Sequence, residues 1–196
     1  MRIEPLTLRG WLVRLEPMRL HHVDGLTAVG LHPELWRWIP NPVTSRDEML
    51  GYVRTALSEL ERGVSLPFVT ILNSSDRVIG STRYGNIDLP NRRVEIGWTW
   101  ITPSYQRTGA NSEAKLLLLT HAFETLKLNR VELKTDALNQ KSRAAIARLG
   151  AVEEGIFRKH LVTASGRIRD TVYFSIIDSE WPAVKARLST FLRSSS

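Results

Sequence analysis

The sequence predicts a mixed α/β chain of the α+β kind, with one central, mostly antiparallel sheet of about seven strands and helices packed on it. Segments with a helical period lie between strand-like segments, yet strands also come in runs, at 67–72, 78–86 and 93–101 and again at 152–162 and 169–177. A doubly wound parallel sheet does not produce such runs. No stretch rich in Gly, Ser or Pro interrupts the 196 residues, so 1–196 reads as a single domain. The polar end 193–196 reads as a frayed tail.

Each element has its own signal. Residues 11–16, Trp-Leu-Val-Arg-Leu-Glu, alternate as a first strand. Residues 22–30 form a short helix and 45–62 a longer one. The longer helix opens on Ser45 with Glu48 three residues on, the spacing of a capping box, and closes at Gly63. The run Asn73-Ser74-Ser75-Asp76 is a turn between the strands 67–72 and 78–86. Over 111–126, Ala114, Leu117, Leu118 and Ala122 share one helical face, which Leu116, Leu119, Phe123 and Leu126 widen. A helix so broadly apolar is expected to be largely buried. A short strand at 131–135 follows, then a helix at 142–149 closed by Gly150. Strands 152–162 and 169–177 pair through a turn at Ser165-Gly166. The last helix starts near Asp178 or Ser179, with Pro182 in its first turn, where proline is tolerated.

Composition narrows the function classes. The chain has no cysteine, which excludes disulfides, thiolate metal sites and a cysteine nucleophile. Its apolar runs, such as 116–119, are far shorter than a membrane span, and 1–5 lacks the core of a secretory signal, so a cytoplasmic address is expected. The formal net charge is +7, which favours a polyanion or a phosphate-rich cofactor. The basic residues form pairs, Arg92-Arg93 and Arg158-Lys159, without a basic helix or tract, which argues against nucleic acid as a partner. His21-His22-x-Asp24 looks like a metal motif, but adjacent histidines diverge on a helix and nothing later completes a ligand set, so no metal is expected.

The chemistry lies in one stretch. Strand 93–101 runs through Thr102-Pro103-Ser104-Tyr105 into Gln106-Arg107-Thr108-Gly109-Ala110-Asn111 and the buried helix. The first turn of a helix presents unpaired N–H groups and the positive end of its dipole, which suits a phosphate. Gly109 is expected to supply positive φ and a close backbone approach, and Arg107 a cation. A plain turn is the alternative reading.

Gln106-x-x-Gly109 after a strand and a Pro-containing loop resembles the acetyl-CoA diphosphate loop of the Gcn5-related N-acetyltransferases (GNAT). Asn111 departs from it, standing where a small residue is usual, and its side chain offers a helix cap. Asn139-x-x-Ser142 with Leu149-Gly150, then Glu153-Glu154-Gly155, Arg169-Asp170 and Tyr173 resemble the RimJ/RimL-like branch. The resemblance runs from Arg14-Leu15-Glu16-Pro17 to Trp181. It implies helices on both faces of the sheet and a splay between the family's fourth and fifth strands, here 95–101 and 131–135. The pantetheine arm of acetyl-CoA would lie in that splay. Trp100, Ile101 and Thr102 would offer it backbone groups, and residues Gln106, Arg107, Thr108, Gly109, Ala110, Asn111 and Ser112 would hold the diphosphate. Asn139 would touch the arm, and Ser142 would lie near the sulfur.

Acetyl transfer from acetyl-CoA to an amine needs a base and donors to the carbonyl oxygen and leaving sulfur. Glu95 is the first candidate base, eleven residues before Gln106, the spacing used by some members of the family. Its plainer reading is a strand carboxylate paired with Arg83, Arg92 or Arg93. His160 is the second candidate, since an imidazole titrates near neutrality. Ser142 is the candidate donor to sulfur, its plainer role being an ordinary early helix residue, and Tyr105 is a weaker donor candidate. Trp36 and Trp38 line the acceptor side in the family; one is expected in the core and one in the pocket. The acceptor is a peptide N-terminus or a small-molecule amine, and the branch admits a homodimer. The rival reading is a non-catalytic acyl-CoA sensor or interaction protein, motivated by Asn111.

Overall fold

The structure is a computed structural model that describes residues 4–194. Its strands are β1 (Leu8–Arg9), β2 (Val13–Pro17), β3 (Leu66–Leu72), β4 (Val78–Asp88), β5 (Arg93–Ile101), β6 (Arg130–Asp136), β7 (Val152–Val162) and β8 (Ile168–Ile177). They form one sheet in the order β1-β2-β3-β4-β5-β6-β8-β7. Every neighbouring pair is antiparallel except β5 and β6. The helices are α1 (Val23–Gly30), α2 (Pro33–Trp36), α3 (Arg46–Glu61), α4 (Gly109–Thr120), α5 (Gln140–Leu149) and α6 (Trp181–Ser194).

Helices cover both faces of the sheet. Under α4 and α6 lies the larger core, including Leu15, Phe68, Ile79, Ile96, Leu118, Val131 and Phe174. Under α1 and α3 lies a second core of Leu26, Trp36, Met49, Val53, Val69, Ile71 and Trp100. Every residue of β3 is buried, because the strand has a core on each side.

The sheet has eight strands where seven were expected. The added one, β1, is two residues long and too short to carry an alternating pattern. Ser45 caps α3, its hydroxyl accepting the Glu48 N–H at 3.2 Å. The box does not close on Ser45, because the Glu48 carboxylate turns to the N–H and hydroxyl of Thr44. The helix expected at 111–126 begins earlier, with Thr108 as its cap, and gives way after Thr120 to a wider π-helical turn at His121–Thr125. Arg193 and Ser194 belong to α6, not to a tail, while Ser195 and Ser196 lie outside the described residues.

Candidate active site

β5 is paired with β4 along its length, but it meets β6 only where Arg93, Val94 and Glu95 face Arg130, Val131 and Glu132. Beyond that point β6 follows β8 as far as Asp136, and a gap opens between the ends of two parallel strands. A bulge in β5 accompanies the opening: Ser81 faces Trp100 and Arg83 faces Gly97, so three steps along β5 match two along β4. Trp98 takes up the excess at φ 49°, a conformation unfavourable for so large a residue. Its ring lies over Gly85, where a Cβ would fall 2.2 Å from it. The Arg83 guanidinium, bonded to Glu59 at 3.1 Å, lies 5.5 Å from that ring and 4.5 Å from that of Tyr52.

The bulged strand turns its free edge to the gap. The Thr102 N–H donates to Ile79 on β4 at 2.8 Å, and Trp100 faces Ser81, so the groups of Ile101 between them point the other way. The Ile101 carbonyl accepts the Gln106 side-chain amide at 2.9 Å, which leaves its N–H as the donor toward the gap. Trp100, Ile101 and Thr102 are therefore not equivalent, and the Thr102 N–H is spent inside the sheet.

At the mouth of the gap stands the N-terminus of α4. Thr108 caps it, its hydroxyl accepting the Ala110 N–H at 3.3 Å and donating to Tyr105. The remaining first-turn amides have no partner within the helix, and the dipole there favours an anion. The expectation for Gly109 needs correcting: the positive φ of 62° belongs to Arg107, and Gly109 is helical. Its missing side chain instead makes room for Leu12 and Leu192, which a Cβ would meet at 2.8 and 3.4 Å. Asn111 does not cap the helix, since Thr108 does, and its Oδ1 is buried with no partner among the described residues. Gln106 also receives a 2.5 Å bond from Lys141, tying this loop to the start of α5.

Across the gap, Asn139 caps α5, its Oδ1 accepting the Ser142 N–H at 3.1 Å. The cap explains why these two residue types stand three apart. It leaves the Asn139 amide nitrogen and the half-buried Ser142 hydroxyl available.

Glu95 sits at the foot of the gap, buried to 7% exposure. Its Oε2 accepts Asn86 at 2.6 Å and Lys134 of β6 at 2.7 Å, so its partner is none of the arginines expected. Oε1 lies beside Gly97, where a Cβ would come within 2.9 Å of it. Burial lowers the pKa of Lys134, but the charge and hydrogen bond of Glu95, with those of Tyr173, together outweigh this and hold it above the ordinary lysine value. Lys134 also lies 4.7 Å from the Tyr173 ring. Sequence reasoning missed this lysine because it is brought in by strand pairing.

A groove of about 710 Å³ runs along this face and includes Lys134, Tyr173, Glu154, Phe157 and Asn86. Its floor is a charge ladder in which Arg93 bridges Asp88 and Glu132, and Arg130 bridges Glu132 and Glu154. Bonds from Arg130 and Ser175 draw the Glu154 carboxyl down to about 2. His160 is exposed on β7 and packs edge-on against Phe157 and Tyr173, at 5.4 and 5.8 Å between ring centres. Trp36 belongs to the core, its indole N–H donating to Gly30 at 2.7 Å and its ring against Trp100 and Tyr52. Trp38 is half-buried between Arg37 and Arg167, and its carbonyl accepts Arg169. Tyr105 packs on the α4-side core. His22 is buried in a local role, its Nδ1 accepting the Arg19 N–H, and Asp24 pairs with Arg46.

The donor set fits a thioester carrying a diphosphate: amides and Arg107 at the mouth, a strand-edge N–H within, and a carboxylate at the foot. A mixed sheet opened between two parallel strands, with a helix N-terminus at the opening, is the splayed architecture that the GNAT resemblance implies. The model of the acetyltransferase (GNAT) domain matches residues 13–152, and the chain belongs to this family, in its RimJ/RimL-like branch. It is an N-acetyltransferase, moving an acetyl group to an amine; the family's donor is acetyl-CoA. It resembles YdaF of Bacillus subtilis, whose name proposes a ribosomal N-acetyltransferase, with 41% identity over 100 residues. That match covers 51% of this chain and 54% of YdaF, about half the length of each. The ribosomal-protein-serine acetyltransferase of Escherichia coli is 26% identical over 84% of this chain and 96% of that one. A crystal structure of a GCN5-related N-acetyltransferase from Brucella melitensis superposes with a TM-score of 0.91 at 34% identity, covering 98% of this chain and 87% of that one. Nothing in these relatives supports the non-catalytic sensor. Among the described residues no helix is long and apolar enough to cross a membrane.

Proposed function

We propose that the protein acetylates the N-terminal amine of a polypeptide, taking the acetyl group from acetyl-CoA held in the gap between β5 and β6. The opening of that strand pair after Glu95 carries the reading, because it exposes a strand edge beside an amide-rich helix end. The amides of Gly109 and Asn111, with Arg107, grip the diphosphate, those of Ala110 and Ser112 being spent on Thr108, and the Ile101 N–H and the Asn139 amide hold the arm. When bound, acetyl-CoA supplies an activated acetyl thioester. The incoming amine approaches along the groove, and the open oxygen of Glu95, Oε1, takes its proton directly or through water. The Ser142 hydroxyl donates toward the departing sulfur. His160 packs behind Phe157 and Tyr173 of the groove and serves the acceptor side, not as the base. Trp38 borders the acceptor side, and Trp36 acts only by supporting it.

A polypeptide acceptor is favoured by the two relatives named for ribosomal substrates and by a groove of about 710 Å³ with a floor of charged side chains. The whole chain acts as one domain in the cytoplasm. The edge strand β7, with Val152, Ile156 and Val162 exposed, supplies the contact for a homodimer. The test is CoA release with a panel of peptides that differ in their first residues, set beside small amines. Turnover restricted to small amines would overturn the acceptor, and no heat on titration with acetyl-CoA would overturn the whole reading.

A further inference from the structure

Lys115 is a buried lysine in the middle of α4, 5% exposed, and among the described residues no carboxylate lies against it. Its ammonium nitrogen donates to the Thr99 hydroxyl at 2.7 Å, and Thr99 also meets the Thr82 hydroxyl at 2.8 Å. Thr99 follows Trp98 in the β5 bulge, beside the gap. The bulge is thus gripped from both faces: Arg83, itself stacked on Tyr52, and the bare Gly85 hold Trp98 on the α3 side, and Lys115 and Thr82 hold Thr99 on the α4 side. An unpaired buried charge is costly, so a lysine kept there without an acid needs a reason. Burial pushes its pKa down to about 7, and the neutral amine still has N–H groups to donate, so its bond to Thr99 does not depend on carrying the charge. The charged or titratable groups nearest along the facing elements are engaged elsewhere. The Tyr84 hydroxyl bonds the Leu118 carbonyl, and Glu113 accepts the amides of Trp11, Leu12 and Val13.

We propose that Lys115, acting through Thr99, is a positioning residue for acetyl transfer: it pins the β5 bulge and so fixes the strand edge against which the thioester lies. This rests on the proposed place of acetyl-CoA. The test is a double-mutant cycle of Lys115→Met and Thr99→Val, with Thr99→Ser as the conservative control. Each single variant is expected to lower kcat about tenfold, the double variant no further, and Thr99→Ser to keep wild-type turnover. Calorimetry with acetyl-CoA is expected to give a Kd within about threefold of wild type in all four variants, because the diphosphate is held at the helix end. Amide exchange in the ligand-free protein, which needs no acceptor, is expected to speed up across residues 97–101 in Lys115→Met and Thr99→Val alike. Losses that add in the double variant, or wild-type turnover in Lys115→Met, overturn the pin. Should Lys115→Met not fold, Thr99→Val with wild-type exchange and turnover overturns it as well. Failure of the wild type to bind acetyl-CoA instead strikes the functional reading while leaving the exchange result standing.

Discussion

The two edges of β5 face opposite demands. Toward β4 the strand is paired from Arg93 to Ile101 and packs so closely that Gly80 has no room for a side chain: a Cβ there would lie 2.1 Å from the Trp100 carbonyl oxygen. Toward β6 pairing ends at Glu95, and backbone groups are left for something other than the protein. A buried, unpaired strand edge is unfavourable unless it gains a partner, and in the proposed function acetyl-CoA is that partner. The difference teaches that one strand can serve as scaffold on one side and binding surface on the other, with a two-for-three bulge as the joint.

Breaking the closed edge should have the largest effect. Gly80→Ala forces backbone apart across β4 and β5 and is expected to destabilise the fold by about 3 kcal/mol, read from denaturant midpoints. An unchanged midpoint would mean the two strands can slide freely. Removing the proposed base at the foot of the gap comes next. Glu95→Gln is expected to lower kcat by about 10²- to 10³-fold and to flatten the acid limb of the pH–rate profile, with acetyl-CoA affinity nearly unchanged. A retained acid limb would remove Glu95 as the base. A finer cut is Gly97→Ala, which crowds Oε1 of Glu95 without touching its charge. A drop in kcat of about tenfold with little change in Kd for acetyl-CoA is expected, as a small misplacement of a reacting group is costly. The smallest effect lies on the groove floor. The Glu154 carboxyl is depressed by Arg130 and Ser175, so it stabilises the fold above the ordinary carboxylate pKa. That contribution is lost as pH falls from about 4.5 toward 2. Glu154 is 38% exposed, and solvent screening limits its share to no more than about 1 kcal/mol. Glu154→Gln should lower stability at pH 7 by that amount and leave it unchanged near pH 2.

Much of this arrangement could be read from residue order. Strand alternation, the apolar face of α4, the Ser45 cap and the Gln106-to-Asn111 loop all rest on local spacing, which the chain carries with it. What stayed hidden depends on register or on the wrong residue doing a familiar job. The left-handed residue of the loop is Arg107, not the glycine beside it, and the bulge falls on Trp98, whose size argues against positive φ. Glu95 finds Lys134 only because β5 and β6 pair in parallel, a contact across 39 positions that no spacing rule reports. Lys115 reads in the sequence as an ordinary polar helix residue, and only the packing of α4 on β5 buries it.

The central claim is that the unpaired edge of β5 receives the arm of acetyl-CoA. Residue-resolved amide exchange with and without acetyl-CoA tests it most directly. Strong protection of the Ile101 amide together with those of Gly109 and Asn111 is the predicted result. Protection at the α4 end with no change at Ile101 would contradict it.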